Sequence, residues 1–188
     1  MRLFTAIDLP EDILRRLDRL LSTLRPEALI KWSPLDNLHV TLKFIGEWPA
    51  ERALEIENAL STLVPRSRFE VEVRDLGWFP NERSPRVLWA GVHGGPGLGQ
   101  LARDTEEVLA TLGIPREDRT FAPHLTLARI KNAVPLNPLR AKVSELQPAA
   151  MGSFHVSSFC LYRSDPGSQA SIYRKLRIFN LESARAAS

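Results

Sequence analysis

Asn37-Leu38-His39-Val40-Thr41-Leu42-Lys43-Phe44 returns in altered form as Ala122-Pro123-His124-Leu125-Thr126-Leu127-Ala128-Arg129. Each copy runs histidine, apolar residue, threonine, leucine, and the two histidines stand 85 positions apart. Two of the chain's four histidines belong to this repeated word. In an extended strand successive side chains alternate faces. His39 and Thr41 then share one surface while Val40 and Leu42 anchor the other, and His124 and Thr126 relate to Leu125 and Leu127 in the same way.

The surroundings of the two words are also alike. Leu3, Thr5 and Ile7 alternate with Phe4 and Ala6 in a short apolar strand that closes at Leu9-Pro10. Ile13, Leu14, Leu17, Leu20, Leu21 and Leu24 then recur at three- and four-residue steps, which predicts an amphipathic helix over 10–24 with Glu11 and Asp12 in its first turn. Short strands are expected over 29–32 and 39–45, a helix over 49–63, and strands over 69–74 and 86–92. Gly94 to Gly99 lacks the Gly-Lys-Ser/Thr ending of a phosphate loop and the spacing of a dinucleotide fingerprint, so it reads as the entry to a third helix reaching about residue 112. The His124 strand follows, then a helix over 138–146, one strand over 153–162 and a last over 171–179, with a small polar tail expected to fray after Asn180. Strand, helix, strands, helix, strands thus occurs twice, each time with one His-x-Thr-x word. The fold class expected is α+β: a single bilobal domain over residues 1–188, with words at 39–42 and 124–127. Each of its two similar lobes carries an antiparallel sheet and outer helices, and if a pseudo-two-fold axis relates them the two words can converge on one active-site cleft between the sheets.

A lone histidine on a half-buried strand is usually structural, and threonine is common in strands because it is β-branched. Two copies at matching places in a repeated arrangement reverse that judgement. Paired imidazoles facing one point suit a reaction that removes a proton on one side and donates one on the other, because histidine titrates near neutrality. In-line displacement at phosphorus has this geometry, and two threonine hydroxyls could hold the non-bridging oxygens. His93 and His155 have no such partner and read as structural. Trp32, Trp48, Trp78 and Trp89 read as core or rim packing.

Composition limits the alternatives. At 188 residues, 44% hydrophobic and 25% charged, the chain is ordinary for a globular protein. No apolar run reaches membrane-spanning length, and the first residues lack the apolar core of a signal peptide, so a cytoplasmic location without membrane contact is expected. Cys160 stands alone, which excludes an internal disulfide and a cysteine-based zinc site. Net charge is +3, unevenly spread: residues 1–115 hold 14 basic against 17 acidic side chains, and residues 116–188 hold 11 against 5. The basic C-terminal portion is compatible with an anionic ligand or a solvated face.

The chain resembles the 2H phosphoesterase superfamily, and within it the RNA 2′,3′-cyclic phosphodiesterases related to 2′–5′ RNA ligases. The resemblance rests on Arg2-Leu-Phe-Thr-Ala-Ile, Asn37-Leu-His-Val-Thr-Leu-Lys-Phe-Ile-Gly-Glu and Phe121-Ala-Pro-His-Leu-Thr-Leu-Ala-Arg. It continues through Leu161-Tyr-Arg-Ser, Tyr173-Arg-Lys-Leu and Phe179-Asn-Leu. It implies a bilobal fold around a central cleft, no metal or redox cofactor, and hydrolysis of a terminal 2′,3′-cyclic phosphate to a 2′-phosphomonoester. By motif, His39 would protonate the departing O3′, His124 would activate water, Thr41 and Thr126 would hold phosphate oxygens, and Arg129 would add positive charge. Strict alternation turns Arg129 away from His124, so its role requires a bulge, a strong twist or a long reach. The expected partner is RNA ending in a cyclic phosphate, bound by a monomer with no obligatory protein partner. A reversible 2′–5′ ligation is the same displacement with a 5′-hydroxyl in place of water.

Three other readings compete. A relative acting on a small cyclic nucleotide phosphate would use the same residues. A non-catalytic RNA-end binder would use the basic C-terminal portion with aromatics such as Trp32 or Phe121, but would not need both histidines and both threonines. A metal hydrolase would need carboxylates paired near the histidines, and none are evident.

Overall fold

The first strand is buried on both faces from Leu3 to Ile7. Leu3 and Ile7 point to one side and Phe4 and Ala6 to the other. The computed structural model describes residues 1–64, 66–168 and 170–182, and the tail expected to fray falls largely outside them. In chain order the elements are β1 (Arg2–Asp8), α1 (Glu11–Leu24), β2 (Lys31–Trp32), β3 (His39–Glu47), α2 (Ala53–Ser61), β4 (Phe69–Phe79) and β5 (Val87–His93). They continue with α3 (Gly95–Ala110), β6 (His124–Arg129), α4 (Asn137–Glu145), β7 (Ala150–Val156), β8 (Ser158–Asp165) and β9 (Ile172–Asn180).

The strands form two antiparallel sheets, ordered β3-β1-β8-β9 and β2-β6-β5-β4-β7. Each His-x-Thr-x word lies on one sheet, on β3 and on β6, as the α+β reading requires. The lobes, however, are not consecutive halves of the chain. β2 leaves the first half to pair with β6, while β8 and β9 return from the C-terminal end to complete the sheet of β1 and β3. The single strand expected over 153–162 is two strands broken at Ser157, and each half joins a different sheet. Periodicity along the chain alone does not show such a break, because which sheet each piece joins depends on its partner strands. The strand expected over 29–32 shortens to two residues, with Leu29 exposed. The second helix begins later than its pattern suggests, after a 3-10 turn at Ala50–Arg52.

Helices are exchanged between the layers as well. α1 follows β1 in the chain but packs against β7 and α4, while α3 touches β3 and β4 and lies against α2. α1 buries Ile13, Leu17, Leu21 and Leu24 completely, as its three- and four-residue spacing dictates. Complete burial is worth about 1.5–3 kcal/mol for each such side chain. The apolar residues from both sheets and all four helices join in one cluster. The cleft side of each sheet is therefore held by a shared core behind it, which fixes where the histidine strands can sit.

One polar tie crosses this core. Lys43 on β3 is almost fully buried, donates to the Pro115 carbonyl oxygen at 2.7 Å, and meets Glu106 of α3 at 3.0 Å and Glu117 at 3.6 Å. It fastens the segment that leads into β6 to the strand that carries His39.

Candidate active site

Both words adopt the same local structure. A short 3-10 turn at Leu35–Asn37 delivers the chain into β3, and His39 Nδ1 lies 2.8 Å from the Asn37 carbonyl oxygen. His124 Nδ1 lies 2.7 Å from the Ala122 carbonyl oxygen. A carbonyl oxygen only accepts, so each Nδ1 carries the proton and each neutral ring presents the lone pair of Nε2. Among the described residues neither Nε2 has a hydrogen-bond partner. Two imidazoles in one tautomer, each locked by the carbonyl two residues upstream, are a pair of prepared bases.

Their walls are aromatic. His39 stacks on Phe4 with centroids 4.9 Å apart and meets the edge of Tyr173 at 5.3 Å, while Phe4 stacks on Tyr162 at 5.2 Å. His124 meets Phe79 edge to face at 5.0 Å. Burial disfavours the charged ring in both cases. His39 is lowered to about 4, with the Asn37 carbonyl and the Asp8 charge opposing that fall, and with His124 and Arg129 adding to it. His124 is lowered by burial and by Arg129, against the pull of the Ala122 carbonyl. Both rings are thereby neutral at pH 7, so the expectation of one charged and one neutral ring requires an anion between them.

Thr41 and Thr126 are half-buried two residues after each histidine, on the histidine face. Arg129 also faces the cleft. β6 pairs with β5 as Trp89↔Thr126 and then Leu88↔Ala128, so Leu127 is the extra residue of a β-bulge. The bulge consumes one alternation and brings Arg129 back to the side of His124. Its charge acts on both imidazoles, and it is exposed with no carboxylate partner among the described residues. The five residues singled out by the sequence therefore lie on facing strands of the two sheets, while His93 pairs with Asp75 at 3.5 Å and His155 is exposed on β7.

A cleft of about 990 Å³ opens from Thr41 and His124 toward α3 and the 116–122 segment. Phe44, Phe79 and Phe121 line it, as do Arg86, Arg103 and Arg119. Its carboxylates are already engaged: Asp104 by Arg66, Glu106 and Glu117 by Lys43, and Glu107 by Arg116. Of the four lining arginines, Arg116 pairs with Glu107, while Arg86, Arg103 and Arg119 have no carboxylate partner among the described residues, which leaves the cleft positive toward an incoming anion. No three histidine, cysteine or acidic side chains among the described residues gather where they could hold a metal ion. No helix among them is long and apolar enough to cross a membrane.

Asp8, Tyr162 and Lys175 were given no role by the sequence, although Tyr162 and Lys175 stand in segments that carry the resemblance, and they meet beside His39. The Asp8 carboxylate accepts the Tyr162 hydroxyl and the Lys175 ammonium, the latter at 2.5 Å. Asp8 ends an apolar strand just before Leu9-Pro10, where an acid also reads as a strand terminus, so only the pairing of β1 with β8 and of β8 with β9 reveals the cluster.

Comparison with known proteins agrees with this geometry. The profile of the LigT-like phosphoesterase family matches residues 7–89 and 93–173. An RNA 2′,3′-cyclic phosphodiesterase of Methanothermobacter thermautotrophicus is 34% identical over 96% of this chain and 99% of its own length. A protein of the same description from Aeropyrum pernix is 41% identical over 75% of this chain and 80% of its own. Among solved structures, a Thermus thermophilus protein superposes with a TM-score of 0.84 at 32% identity, covering 98% of this chain and all of its own. Escherichia coli LigT in complex with 3′-AMP superposes with a TM-score of 0.77 at 32% identity, covering 96% and 97%.

Proposed function

The chain belongs to the LigT-like phosphoesterase family, and we propose that it hydrolyses the terminal 2′,3′-cyclic phosphate of RNA to a 2′-phosphomonoester with His39 as acid and His124 as base. The observation that carries this reading is the matched pair of imidazoles, each with Nδ1–H fixed by a backbone carbonyl and Nε2 unengaged, on facing strands. His124 Nε2 takes a proton from water, the water oxygen forms the new P–O bond, the P–O3′ bond breaks, and His39 gives its Nε2 proton to O3′. The anionic phosphate supplies the charge that lets His39 hold that proton. Thr41 and Thr126 donate to non-bridging oxygens, and Arg129 stabilises the charge that builds on them. No step requires a metal ion.

With an RNA 5′-hydroxyl in place of water the same displacement joins two ends by a 2′–5′ linkage. Water is so abundant that hydrolysis dominates unless that hydroxyl is held. The three unpaired arginines of the cleft support a substrate extending beyond its terminal nucleotide. The decisive experiment incubates the full chain with an oligonucleotide ending in a 2′,3′-cyclic phosphate, in excess EDTA, and separates 2′- from 3′-phosphate products. Formation of the 2′-phosphate supports the reading, and a 3′-phosphate or dependence on a divalent ion overturns it.

A second reading, a phosphodiesterase for small cyclic nucleotide phosphates, is favoured by the 3′-AMP complex of Escherichia coli LigT. Salt-insensitive turnover of a mononucleotide as fast as an oligonucleotide would select it.

A further inference from the structure

The two histidines share a word, a tautomer and a backbone anchor, so what distinguishes acid from base must lie outside the word. The register partner of His39 on β1 is Asp8, and the register partner of His124 on β5 is Gly91. Register partners on neighbouring antiparallel strands project to the same face. His39 therefore has a carboxylate beside it, and His124 at the matching place has no side chain at all. None could be added without displacing backbone, because a Cβ on Gly91 would lie 2.8 Å from the Arg74 carbonyl oxygen.

We propose that Asp8 is the positioning residue that breaks the near-symmetry of the pair, holding the mobile proton on His39 and leaving His124 as the base. This rests on reading the two histidines as an acid–base pair. Asp8 is fixed from two further strands, by the Tyr162 hydroxyl of β8 and the Lys175 ammonium of β9, with the Cys160 thiol at 3.6 Å. Those neighbours do not compete for the role. Burial pushes the Cys160 thiol up to about 12 and the Tyr162 phenol higher still, so both stay neutral, and Lys175 stays charged beside the carboxylate. Tyr173 contributes its ring edge. From β6, His124 and Arg129 act in the opposite sense to Asp8.

Burial keeps His39 low even with Asp8 beside it, and Asp8 is the one charged group among its neighbours that opposes that fall. A phosphate anion in the cleft raises both rings. Asp8 is already part of the balance that leaves His39 low, so the proton settles on His39 only where the phosphate anion acts together with Asp8 on that side. In one turnover that proton passes to O3′, a proton of water passes to His124, and exchange with solvent restores both rings.

The test follows histidine titration by NMR in the full chain saturated with adenosine 2′-monophosphate, alongside the pH dependence of kcat/KM on a cyclic-phosphate oligonucleotide. Asp8→Asn keeps the shape and removes the charge. It should lower the His39 titration and the alkaline limb of the profile by on the order of one pH unit, with His124 unmoved. Lys175→Gln should move both in the opposite direction, because the carboxylate loses its neutralising partner. On a substrate whose leaving oxygen departs unprotonated, the rate effect of Asp8→Asn should vanish. An unchanged His39 titration in Asp8→Asn, shifts of the same sign in both variants, or a uniform rate loss with both limbs fixed would overturn the proposal. If Asp8→Asn does not fold, the sign of the Lys175→Gln shift decides. If the unmodified chain turns over no cyclic-phosphate RNA, the functional reading falls, while the titrations still decide whether Asp8 governs His39.

Discussion

Phe44 and Arg129 hold the same place in two strands that share no sheet. Each stands five residues after its histidine, and each is preceded by a bulge: Leu42 on β3, between the pairs Ala6↔Thr41 and Thr5↔Lys43, and Leu127 on β6. The extra residue returns both side chains to the cleft, so the repeated word is six residues long rather than four. The first copy offers an apolar ring at its end and the second a guanidinium, which concentrates positive charge on the His124 side.

Arg129→Ala should therefore lower kcat/KM on a cyclic-phosphate oligonucleotide by on the order of 10²-fold, the scale of one lost donor to a developing oxyanion. Arg129→Lys should restore part of this, since it keeps charge without the planar fork. Removing the cation also relieves both imidazoles of a like charge, so the pH profile of Arg129→Ala should move upward. An unchanged profile would place the guanidinium outside the site.

Removal of either imidazole should cost about 10²–10⁴-fold in kcat/KM. The double substitution His39→Ala with His124→Ala should cost far less than the product of the single losses, because the groups act as a unit. With an activated leaving group His39→Ala should regain activity and His124→Ala should not. The reverse pattern would exchange acid and base.

The lowered His39 also makes a stability statement. Its folded-state value of about 4 lies below the ordinary 6.5, so between those values the unfolded chain binds the extra proton. Stability should be complete above pH 6.5 and fall as pH drops toward 4, by on the order of 2 kcal/mol from this group. Urea unfolding at pH 7.5 and pH 5 would measure it. His39→Gln should show a shallower decline, and an identical slope in both proteins would assign the acid loss to other groups.

Lys43→Ala strands Glu106 beside the core and frees the segment that leads into β6. A loss of about 2 kcal/mol is expected, less than for a fully buried pair because Glu117 is half exposed. The pairing of Lys43→Met with Glu106→Gln should recover much of that loss. Thermal unfolding of the two variants would compare them, and equal stability of Lys43→Ala and the parent would show the tie to be idle.

By itself the sequence determined most of the elements and the faces on which the two words stand. Period-two words placed His39 with Thr41 and His124 with Thr126 on shared faces, and apolar spacing located α1, because backbone geometry fixes both periodicities locally. It also defined the condition that Arg129 had to meet. Only the tertiary structure decided that the condition is met, since a bulge is visible as a slip between two paired strands and not along one of them. The exchange of β2, β8 and β9 between sheets, and the break at Ser157, were likewise hidden, because a strand's burial pattern is the same whichever sheet receives it. The Asp8 cluster draws on residues from positions 8, 162 and 175 and has no local signature. Two copies of one word gave the pair of histidines, and the neighbouring strands, with aspartate beside one and glycine beside the other, made the two unequal.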